Sequence, residues 1–586
     1  MALVSDPVAA KTNRLTGGQV IARVLARHGI RTTFCLAGTA HTPLLFALED
    51  EKIRVISGRH ETGTVAGADG YARVSGKAGI AMIKADQGLP NAVTGIMTAQ
   101  LACSPVVVLA SETPHMSVEA DGEDDNDVLD LVKGCCKWAK SVPQPERLEE
   151  YVEAAILQAT TGRPGVAVLG IPQQFESAAV DYAERATTMK RPAPPAPDPD
   201  TVERAADLLA AAKRPLILAG TGAALSGAGA DLRALSAAFD LPVFGSNLGR
   251  GLVPEDMVHG FAWPLAQVAA KEADVVLIVG IRMGQRMGYG LAPRFAADAK
   301  FIQIDILPGE IGRNRNADVG IVADAAVAVA AIHRALASRK MKKPGAPQWV
   351  NAALAVRLAR IEELGRDPAA PIHPYRMARD LMQVMPANAI YVGDGADIQN
   401  WMHAILRVRA ERAFMDHYPL GSMGIGTPLA VGAAAAAREI AEATGQPLRP
   451  VVLVTGDGSF GFYCAELCGA ALAGLKIVCL ISNDGLWGTE QHGQMKVYNR
   501  ASNCDLGQWD YHLIAHTFGL SGEKIANADD ILPAIKRAFA ADGATVLNVM
   551  TDPAAGIVRK TDPRVQTVAF DDLIASQKKH YTPAIA

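Results

Sequence analysis

The chain has 586 residues, with 57 Lys and Arg against 61 Asp and Glu, which gives a formal net charge of −4. Hydrophobic residues make up 49% and charged residues 20%, a composition that can bury several cores and excludes a disordered, collagenous or coiled-coil chain. The near-neutral charge supplies no electrostatic footprint for nucleic acid, so no nucleic-acid partner is expected. At about 150 residues per domain, the length predicts three or four domains.

The cysteines and the amino-terminal segment indicate where the protein works. Eight cysteines are too sparse and irregular for a disulfide framework or a zinc module. Residues 1–13 lack the basic start and apolar run of a signal peptide, and no stretch of about 18 residues is apolar enough to cross a bilayer. We therefore expect a cytoplasmic protein without a membrane partner.

The first block of the chain alternates short apolar segments with helix-like segments. Apolar residues recur at intervals of three and four over 15–30, which predicts an opening helix. Short apolar strands separated by helices are typical of a parallel sheet covered on both faces. Further helices are predicted over 61–76 and from about Asn91, and strands over 31–36, 52–57, 79–84 and 105–110; the block ends near 165–172.

Two proline-containing linkers, 188–200 and 340–348, separate the first block from a second and the second from a third that begins near His373. Both later blocks repeat the strand–helix alternation, and residues after about Pro553 are polar and basic with little periodicity. The chain therefore predicts an α/β fold with three doubly wound parallel sheets and a carboxyl-terminal tail or lid. Their predicted strands are 215–220, 241–246, 273–280 and 300–306 in the second block, and 389–395, 449–458, 475–484 and 545–551 in the third.

The most informative segment of the third block is a strand that runs directly into Gly456, Asp457, Gly458 and Ser459. Backbone amides at such a strand-to-helix turn are unobstructed where glycine stands. They suit the binding of a diphosphate group.

A second polar residue follows the next strand. That strand ends at Asn483, and 24 residues separate Gly458 from Asn483. Because the carboxyl ends of adjacent parallel strands meet at one edge of a sheet, we expect Asp457 and Asn483 to lie close together. With the backbone carbonyl of Gly485 and two phosphate oxygens, they would give Mg²⁺ its near-octahedral oxygen shell.

The Gly-Asp-Gly segment followed by Asn at this spacing resembles the cofactor-anchoring pattern of thiamine diphosphate (ThDP) enzymes. Residues 58–76 and 417–434 resemble two further segments of that superfamily. Residues 280–290 and 302–324 resemble the middle domain of its acetolactate synthase-like branch. The resemblance runs from about residue 14 to 560, in the family's domain order.

The resemblance implies a domain plan and an assembly. The expected domains are a pyrimidine-binding domain over 14–187, a middle Rossmann-like, nucleotide-binding domain over 201–340, a diphosphate-binding domain over 370–553 and a lid or tail over 554–586. It also implies a small-molecule substrate and a homo-oligomer with active sites shared between subunits, most simply a tetramer.

The resemblance further implies roles for particular residues toward ThDP. Glu61 is expected to contact the aminopyrimidine ring and to activate the cofactor. Gly421 is expected to accept from the ring's amino group, and Met423 to hold the cofactor in its bent form. Gly395 and Ala396 are further expected cofactor contacts.

The middle domain is expected to bind a nucleotide that contains ADP. Asp305 ends a predicted strand where a ribose or adenine partner would sit, and Gly220-Thr221-Gly222 follows another strand. The sequence leaves ADP and FAD open as the ligand.

Two candidate catalytic residues lie in segments that differ between branches of the superfamily. In the first active-site loop, 36–41, the usual Pro-Gly is absent; His41 is a candidate to reach the substrate, with a structural role as the alternative. Residues 483–494, NDGLWGTEQHGQ, resemble 2-hydroxyacyl-CoA lyases, in which a glutamate matching Glu490 works in acid–base chemistry. An acidic cluster, 123–125, stands where acetolactate synthases carry a glutamine.

These observations predict a ThDP- and Mg²⁺-dependent carbon–carbon lyase or carboligase. The first choice is a 2-hydroxyacyl-CoA lyase, which cleaves its substrate reversibly to an aldehyde or ketone and formyl-CoA. Basic residues of the tail, such as Arg559 and Lys560, would suit the phosphates of a CoA thioester. The alternatives are an acetolactate synthase-like 2-oxo acid decarboxylase or carboligase and, from another class, a noncatalytic binding or scaffold relative.

Overall fold

The computed structural model describes residues 13–120, 128–183, 192–339, 346–368 and 370–556. They divide into two compact units, one with residues up to 192 and Tyr418–Leu420, the other with 193–417 and the residues from 421 onward. Three six-stranded sheets, each parallel throughout, confirm the predicted α/β fold class. The acidic cluster at 123–125 and the predicted lid or tail beyond Gly556 lie outside the described residues.

The first unit contains a sheet with the strand order β3-β2-β4-β5-β7-β6 and a small antiparallel pair, β1-β8. Its apolar strands are buried, as the sequence predicts for a sheet covered on both faces. The strands are β1 (Asn13–Thr16), β2 (Thr32–Cys35), β3 (Arg54–Ser57), β4 (Gly79–Lys84), β5 (Val106–Glu112), β6 (Trp138–Ser141), β7 (Val166–Pro172) and β8 (Ala179–Tyr182). The helices are α1 (Gly17–Arg27), α2 (Thr42–Asp50), α3 (Glu61–Ser75), α4 (Gly88–Leu101), α5 (Leu129–Lys133), α6 (Leu148–Thr160) and α7 (Gln173–Ser177).

Local signals set the ends of the helices in this unit. Thr16 caps α1 through a reciprocal bond with Gln19. His60 caps α3 by accepting the Thr62 N–H, and Gly76 ends it with a φ of 73°. α4 begins at Gly88, earlier than the sequence predicts.

The second sheet has the order β11-β10-β9-β12-β13-β14. Counted in chain order within this sheet, the strands read 3-2-1-4-5-6, which is the Rossmann order. The strands are β9 (Pro215–Ala219), β10 (Val243–Gly245), β11 (Gly260–Ala262), β12 (Val275–Val279), β13 (Lys300–Asp305) and β14 (Val319–Val322). The helices are α8 (Pro199–Ala211), α9 (Thr221–Ser226), α10 (Gly229–Phe239), α11 (Trp263–Ala266), α12 (Ala325–Ala337) and α13 (Ala346–Gly365).

The third sheet has the order β16-β15-β17-β18-β20-β19. Its strands read 2-1-3-4-6-5 in chain order, and those of the first sheet read the same. The strands are β15 (Ile390–Gly393), β16 (Phe414–Asp416), β17 (Val451–Gly456), β18 (Ile477–Asn483), β19 (Ser521–Ile525) and β20 (Thr545–Met550). The helices are α14 (Pro374–Val384), α15 (Asp397–Ile405), α16 (Gly426–Thr444), α17 (Asp457–Tyr463), α18 (Leu467–Leu472), α19 (Gly488–Tyr498), α20 (His512–Thr517) and α21 (Ala528–Ala540).

The second and third sheets share one unit and one hydrophobic cluster. That cluster contains Phe244 and Trp263 from the elements of the second sheet, and Tyr375 and Trp401 from those of the third. α13 occupies residues that the sequence assigned in part to a linker. Within the described part of the chain, every helix is too short or too polar to cross a membrane.

Candidate active site

The register of the third sheet brings three turns to one edge. β15 pairs with β17 so that Gly393 lies opposite Val454, and β17 pairs with β18 so that Gly456 lies opposite Ser482. All three strands run in the same direction, so the residues that follow them meet at the carboxyl edge of the sheet. Asp457 and Asn483 therefore stand at the ends of adjacent strands, as their spacing predicts.

Asp457 bridges two of these turns. Its side chain is 2% exposed, and its Oδ1 accepts the N–H of Gly458 at 2.9 Å. Its Oδ2 accepts the N–H of Gly485 at 2.9 Å, which ties the turn after β18 to the turn after β17. The carboxylate is thus held in place by two backbone donors.

Asn483 presents an oxygen that lacks a hydrogen-bond partner among the described residues. Its Nδ2 donates to the carbonyl of Trp509 at 2.9 Å and to Asn548 Oδ1 at 3.0 Å. These two bonds fix the orientation of the amide, while its Oδ1 is buried and unpartnered. A buried acceptor of this kind is costly unless a ligand satisfies it, so it fits an oxygen-seeking cation.

The backbone carbonyl of Gly485, the third expected metal ligand, accepts the N–H of Leu506 at 2.8 Å. It keeps one lone pair for a further bond. Within the described ranges, no group of three or more His, Cys, Asp and Glu side chains is arranged to hold a metal. The expected ligand set is of a different kind, because it combines one carboxylate, one amide and one backbone carbonyl.

Acidic side chains are concentrated around this edge. Burial raises the pKa of Asp457 to about 6. Burial, together with the nearby charges of Asp457 and Asp397, raises the pKa of Asp484 to about 8. Both shifts favour the neutral carboxyl groups, whereas a bound divalent cation would favour the charged forms.

The glycines of the turns leave room for a ligand at one point and allow close packing at another. A Cβ at Gly456 would meet no atom within 4 Å, so the space in front of this backbone is open. A Cβ at Gly395 would lie 3.1 Å from both Gly456 N and Ser459 Oγ, and Gly395 has a φ of 81°. The expected diphosphate contacts therefore form one cradle, and Ala396 stands beside it as the residue before α15.

The turn before α16 carries two further expected cofactor contacts. Gly421 has a φ of 83°, and its N–H donates to the carbonyl of His417 at 3.0 Å. Met423 is half-buried in the same turn. The next residue, Gly424, has a φ of 89°, and a Cβ there would lie 2.3 Å from the Cβ of Phe462.

In the first unit, Glu61 is the first residue of α3, close after the end of β3. Its Oε2 accepts from Asn91 Nδ2 at 3.1 Å. A Cβ at Gly88 would lie 3.3 Å from Glu61 Cγ, so α4 packs directly against this side chain. The sequence places Glu61 correctly after a strand but does not reveal its partner Asn91.

His41 occupies a different environment from the substrate-facing one expected of a catalytic residue. It is 1% exposed, with Nδ1 2.7 Å from Glu176 Oε1 and Nε2 2.9 Å from the carbonyl of Ile83. Burial alone would lower the pKa of His41, but the hydrogen bond and charge of Glu176 raise it above its ordinary value. Both ring nitrogens are used inside the unit, so the geometry favours the structural alternative for His41.

Glu490 lies in the first turn of α19 and is exposed. The residue before this helix, Trp487, packs on the turn after β17: a Cβ at Gly458 would lie 2.4 Å from its Cζ3. Trp487 thereby connects the start of α19 to the expected diphosphate turn. The sequence motif draws attention to Trp487, but only the packing shows what it touches.

In the Rossmann-ordered sheet, the topological switch point lies between β9 and β12. The backbones of the turns after these strands approach closely, because a Cβ at Gly222 would lie 2.8 Å from Gly280 Cα. Asp305 ends β13, and its Oδ1 accepts the N–H of Leu307 at 2.9 Å. The sheet therefore has the strand order and the glycine turns that the sequence predicts, and Asp305 stands at the carboxyl end of its strand.

Three models of one enzyme family match most of the chain. They are described as thiamine pyrophosphate enzyme domains: the N-terminal TPP binding domain over 15–131, the central domain over 202–332 and the C-terminal TPP binding domain over 394–549. Thiamine pyrophosphate is another name for ThDP. The matches define the class of the protein, a ThDP-dependent enzyme.

Curated relatives indicate a particular family within the ThDP-dependent enzymes. A probable acetolactate synthase large subunit of Methanocaldococcus jannaschii is 30% identical over 95% of this chain and 98% of its own length. The acetolactate synthase large subunit IlvG of Mycobacterium tuberculosis is 29% identical over 95% and 99%. The 2-hydroxyacyl-CoA lyase 2 of Caenorhabditis elegans is 26% identical over 89% and 87%. The chain belongs to the acetolactate synthase family of ThDP-dependent enzymes.

A solved structure supports the fold. The benzoylformate decarboxylase of Polynucleobacter necessarius superposes with a TM-score of 0.76 at 19% identity, over 92% of this chain and 99% of that one. At this identity the likeness concerns the fold alone.

We propose that Asp457 and Asn483 are ligands of Mg²⁺, and the replacement Asp457→Ala tests this. Replacement of a residue that only hydrogen-bonds to a metal ligand typically lowers metal affinity about 10- to 100-fold. Loss of the Asp457 carboxylate, a proposed ligand itself, should weaken ThDP binding by more than this. Added Mg²⁺ should rescue the variant poorly. Isothermal titration calorimetry with ThDP at several Mg²⁺ concentrations measures both effects.

Asp505→Ala is the matched control, because the Asp505 carboxylate also accepts a glycine N–H, that of Gly507 at 3.0 Å, but is exposed. It should bind ThDP as the unmodified chain does. Normal ThDP affinity in Asp457→Ala would place the ion elsewhere.

Proposed function

We propose that this enzyme is a ThDP- and Mg²⁺-dependent carbon–carbon lyase or carboligase whose first-choice substrate is a 2-hydroxyacyl-CoA. The observation that carries the proposal is the pairing of the fixed Asp457 carboxylate with the unpartnered Oδ1 of Asn483 beside an open glycine turn. An arrangement of this kind suits a metal-bound diphosphate. The alternative, a noncatalytic scaffold, would not account for the buried, unpartnered oxygen of Asn483.

The residues of the site have distinct proposed roles. ThDP, when bound, supplies a carbon nucleophile at C2 of its thiazolium ring. Asp457 and Asn483 hold the metal, and the amides of the Gly456 turn bind phosphate oxygens. The Glu61 carboxyl group holds a proton at N1′ of the pyrimidine ring, and Asn91 fixes the orientation of that carboxyl group.

Glu490 is the proposed acid–base residue at the acyl carbon. It lies on the solvent-accessible first turn of α19, anchored to the expected diphosphate turn by Trp487. His41 is proposed to act indirectly: its bonds to Glu176 and Ile83 hold the loop that precedes it.

Two substrate classes compete. The motif around Glu490 and the relative named 2-hydroxyacyl-CoA lyase 2 favour a CoA thioester. The relatives named acetolactate synthase favour a 2-oxo acid such as pyruvate. The CoA thioester is the first-choice substrate because the sequence has an acidic cluster where acetolactate synthases carry glutamine.

A product assay separates the two. The purified chain with ThDP and Mg²⁺ should release formyl-CoA and an aldehyde or ketone from 2-hydroxyacyl-CoA esters and should turn over pyruvate and benzoylformate slowly. Chromatography of the CoA products and of acetolactate measures both reactions. Acetolactate as the main product would reverse the order of the two proposals.

The Glu61 role gives a second test. Glu61→Gln should leave ThDP binding largely intact but slow C2–H exchange of the bound cofactor by about two orders of magnitude or more, the range for lost acid–base catalysis. Proton NMR of quenched samples measures this exchange. Asn91→Ala, which removes only the partner of Glu61, should slow the exchange less; unchanged exchange in Glu61→Gln would remove Glu61 from this role.

The middle domain is proposed to bind ADP or FAD in the crevice between β9 and β12, with Asp305 near the adenosine. The support is the Rossmann order of the sheet and the close approach of Gly222 and Gly280. The proposed domains, 14–187, 201–340 and 370–553, each contain one parallel sheet.

Large apolar side chains are exposed on elements that follow the carboxyl ends of the third sheet: Phe462 is 55% exposed, Tyr498 67% and Trp509 63%. Large exposed apolar side chains are candidates for an interaction site where they form a contiguous patch. We propose that a second copy of the chain covers it in a homo-oligomer, with a tetramer as the expected form. Light scattering over a dilution series should show at least a dimer, with activity falling as it dissociates; an active monomer would contradict shared sites.

A further inference from the structure

A single buried carboxylate joins two of the expected cofactor turns. Asp394 follows β15 directly and has no solvent exposure. Its Oδ1 accepts the N–H of Gly395 at 2.7 Å and that of Gly424 at 3.1 Å. Its Oδ2 accepts the N–H of Gly426 at 2.9 Å.

The two turns are separated by about thirty residues of sequence. One contains Gly395, next to the diphosphate cradle, and the other runs from Gly421 to Gly426, the first residue of α16. Because both oxygens of Asp394 are used and one of them is shared, a shift of either turn would break a hydrogen bond. The carboxylate therefore fixes the distance between the turns.

The glycines are a requirement of this contact. A Cβ at Gly426 would lie 2.4 Å from the Cβ of Asp394, closer than real Cβ atoms come to other atoms. Gly395 and Gly424 have φ values of 81° and 89°, which side-chain-bearing residues rarely adopt. The backbone can reach the carboxylate only because these positions lack side chains.

A second buried titratable side chain lies beside Asp394. His417 is also buried, with its Nδ1 3.7 Å from Asp394 Oδ1. Burial raises the pKa of Asp394, whereas His417 and the three backbone donors act in the opposite direction. His417 contributes to the same turn a second time, because its carbonyl accepts the N–H of Gly421.

We propose that Asp394 is a positioning residue for ThDP, which sets the spacing between the turn at Gly395 and the turn from Gly421 to Gly426. The inference rests on the proposed cofactor contacts of Gly395 and Gly421. It goes beyond them, because Asp394 needs no contact with the cofactor. Its hydrogen bonds would organise the site before the cofactor arrives, so that less binding free energy is lost in ordering the turns.

The test is Asp394→Asn, which keeps the shape but turns one acceptor oxygen into an NH₂ group that faces a backbone donor. Since at least one bond to a charged acceptor is lost and a donor is left unsatisfied, ThDP affinity should fall about 10- to 100-fold. C2–H exchange of bound ThDP should also slow when ThDP is saturating. Calorimetry measures the affinity, and NMR the exchange.

A purely structural role, such as capping α16, makes a different prediction. It lowers the melting temperature but leaves ThDP affinity and C2–H exchange unchanged. The matched control is Glu255→Gln, which alters another buried carboxylate, one that accepts from Arg250 and the N–H of Val408. This control should lose thermal stability and keep normal ThDP affinity; an equal loss of affinity in both variants would overturn the proposal.

A measurement on the unmodified chain covers the case in which Asp394→Asn fails to fold. In hydrogen exchange of the cofactor-free protein, the amides of Gly395, Gly424 and Gly426 should open together, because one carboxylate holds them. Independent exchange of the two turns would overturn the inference. If the unmodified chain does not bind ThDP, the proposed function fails; if it does and Asp394→Asn binds equally well, only the role of Asp394 fails.

Discussion

Parallel pairing of β15, β17 and β18 is the constraint on which the site depends. All three strands end at the same edge of the sheet. A buried residue with a side-chain oxygen stands there in each case: Asp394 directly after β15, Asp457 directly after β17 and Asn483 as the last residue of β18. The two carboxylates are satisfied by backbone N–H groups of glycine-rich turns, whereas the Oδ1 of Asn483 is left for a ligand. The strand register therefore sets the positions of the backbone N–H donors. The glycines allow this backbone to approach the two carboxylates closely.

The first and third sheets share one strand order but carry different chemistry. In the third sheet, the oxygen-bearing residues follow the first, third and fourth strands in chain order. In the first sheet, the expected activating group, Glu61, comes after the second strand, β3. The turn after its first strand, β2, leads to His41, whose ring is used within the unit. One topology thus supplies two different sets of loop positions, which is why fold alone does not assign a role to a residue.

Much of the fold could be predicted because strands buried on both faces read as continuous apolar runs; the strand 79–84 has the predicted limits. Short strands such as β11 and β16, with three residues each, lack such a run and were not predicted. The proximity of Asp457 and Asn483 followed from the adjacency of their strands.

Side-chain partners could not be predicted in the same way. Glu176 lies 135 residues from His41 in sequence, and Gly426 lies 32 residues from Asp394. Local patterns contain no signal for such pairs, because packing of distant elements selects them. The sequence therefore predicted that Glu61 and Asp457 follow strands, but it gave no signal for Asn91, which donates to Glu61, or for Asp394, which joins two turns.

Electrostatics links the proposed metal to the proposed diphosphate. Asp457 is buried and Asp484 is half-buried near it, and burial raises the pKa of both carboxyl groups, which favours their neutral forms. A diphosphate that entered alone would meet like charge wherever these groups ionise, in surroundings that screen it poorly. A divalent cation that entered alone would bind the Asp457 carboxylate and the Asn483 oxygen and would complete its coordination shell with water, which diphosphate oxygens can replace. Because the cation also offsets the charge of the diphosphate, we expect the two to bind together more tightly than either one binds alone.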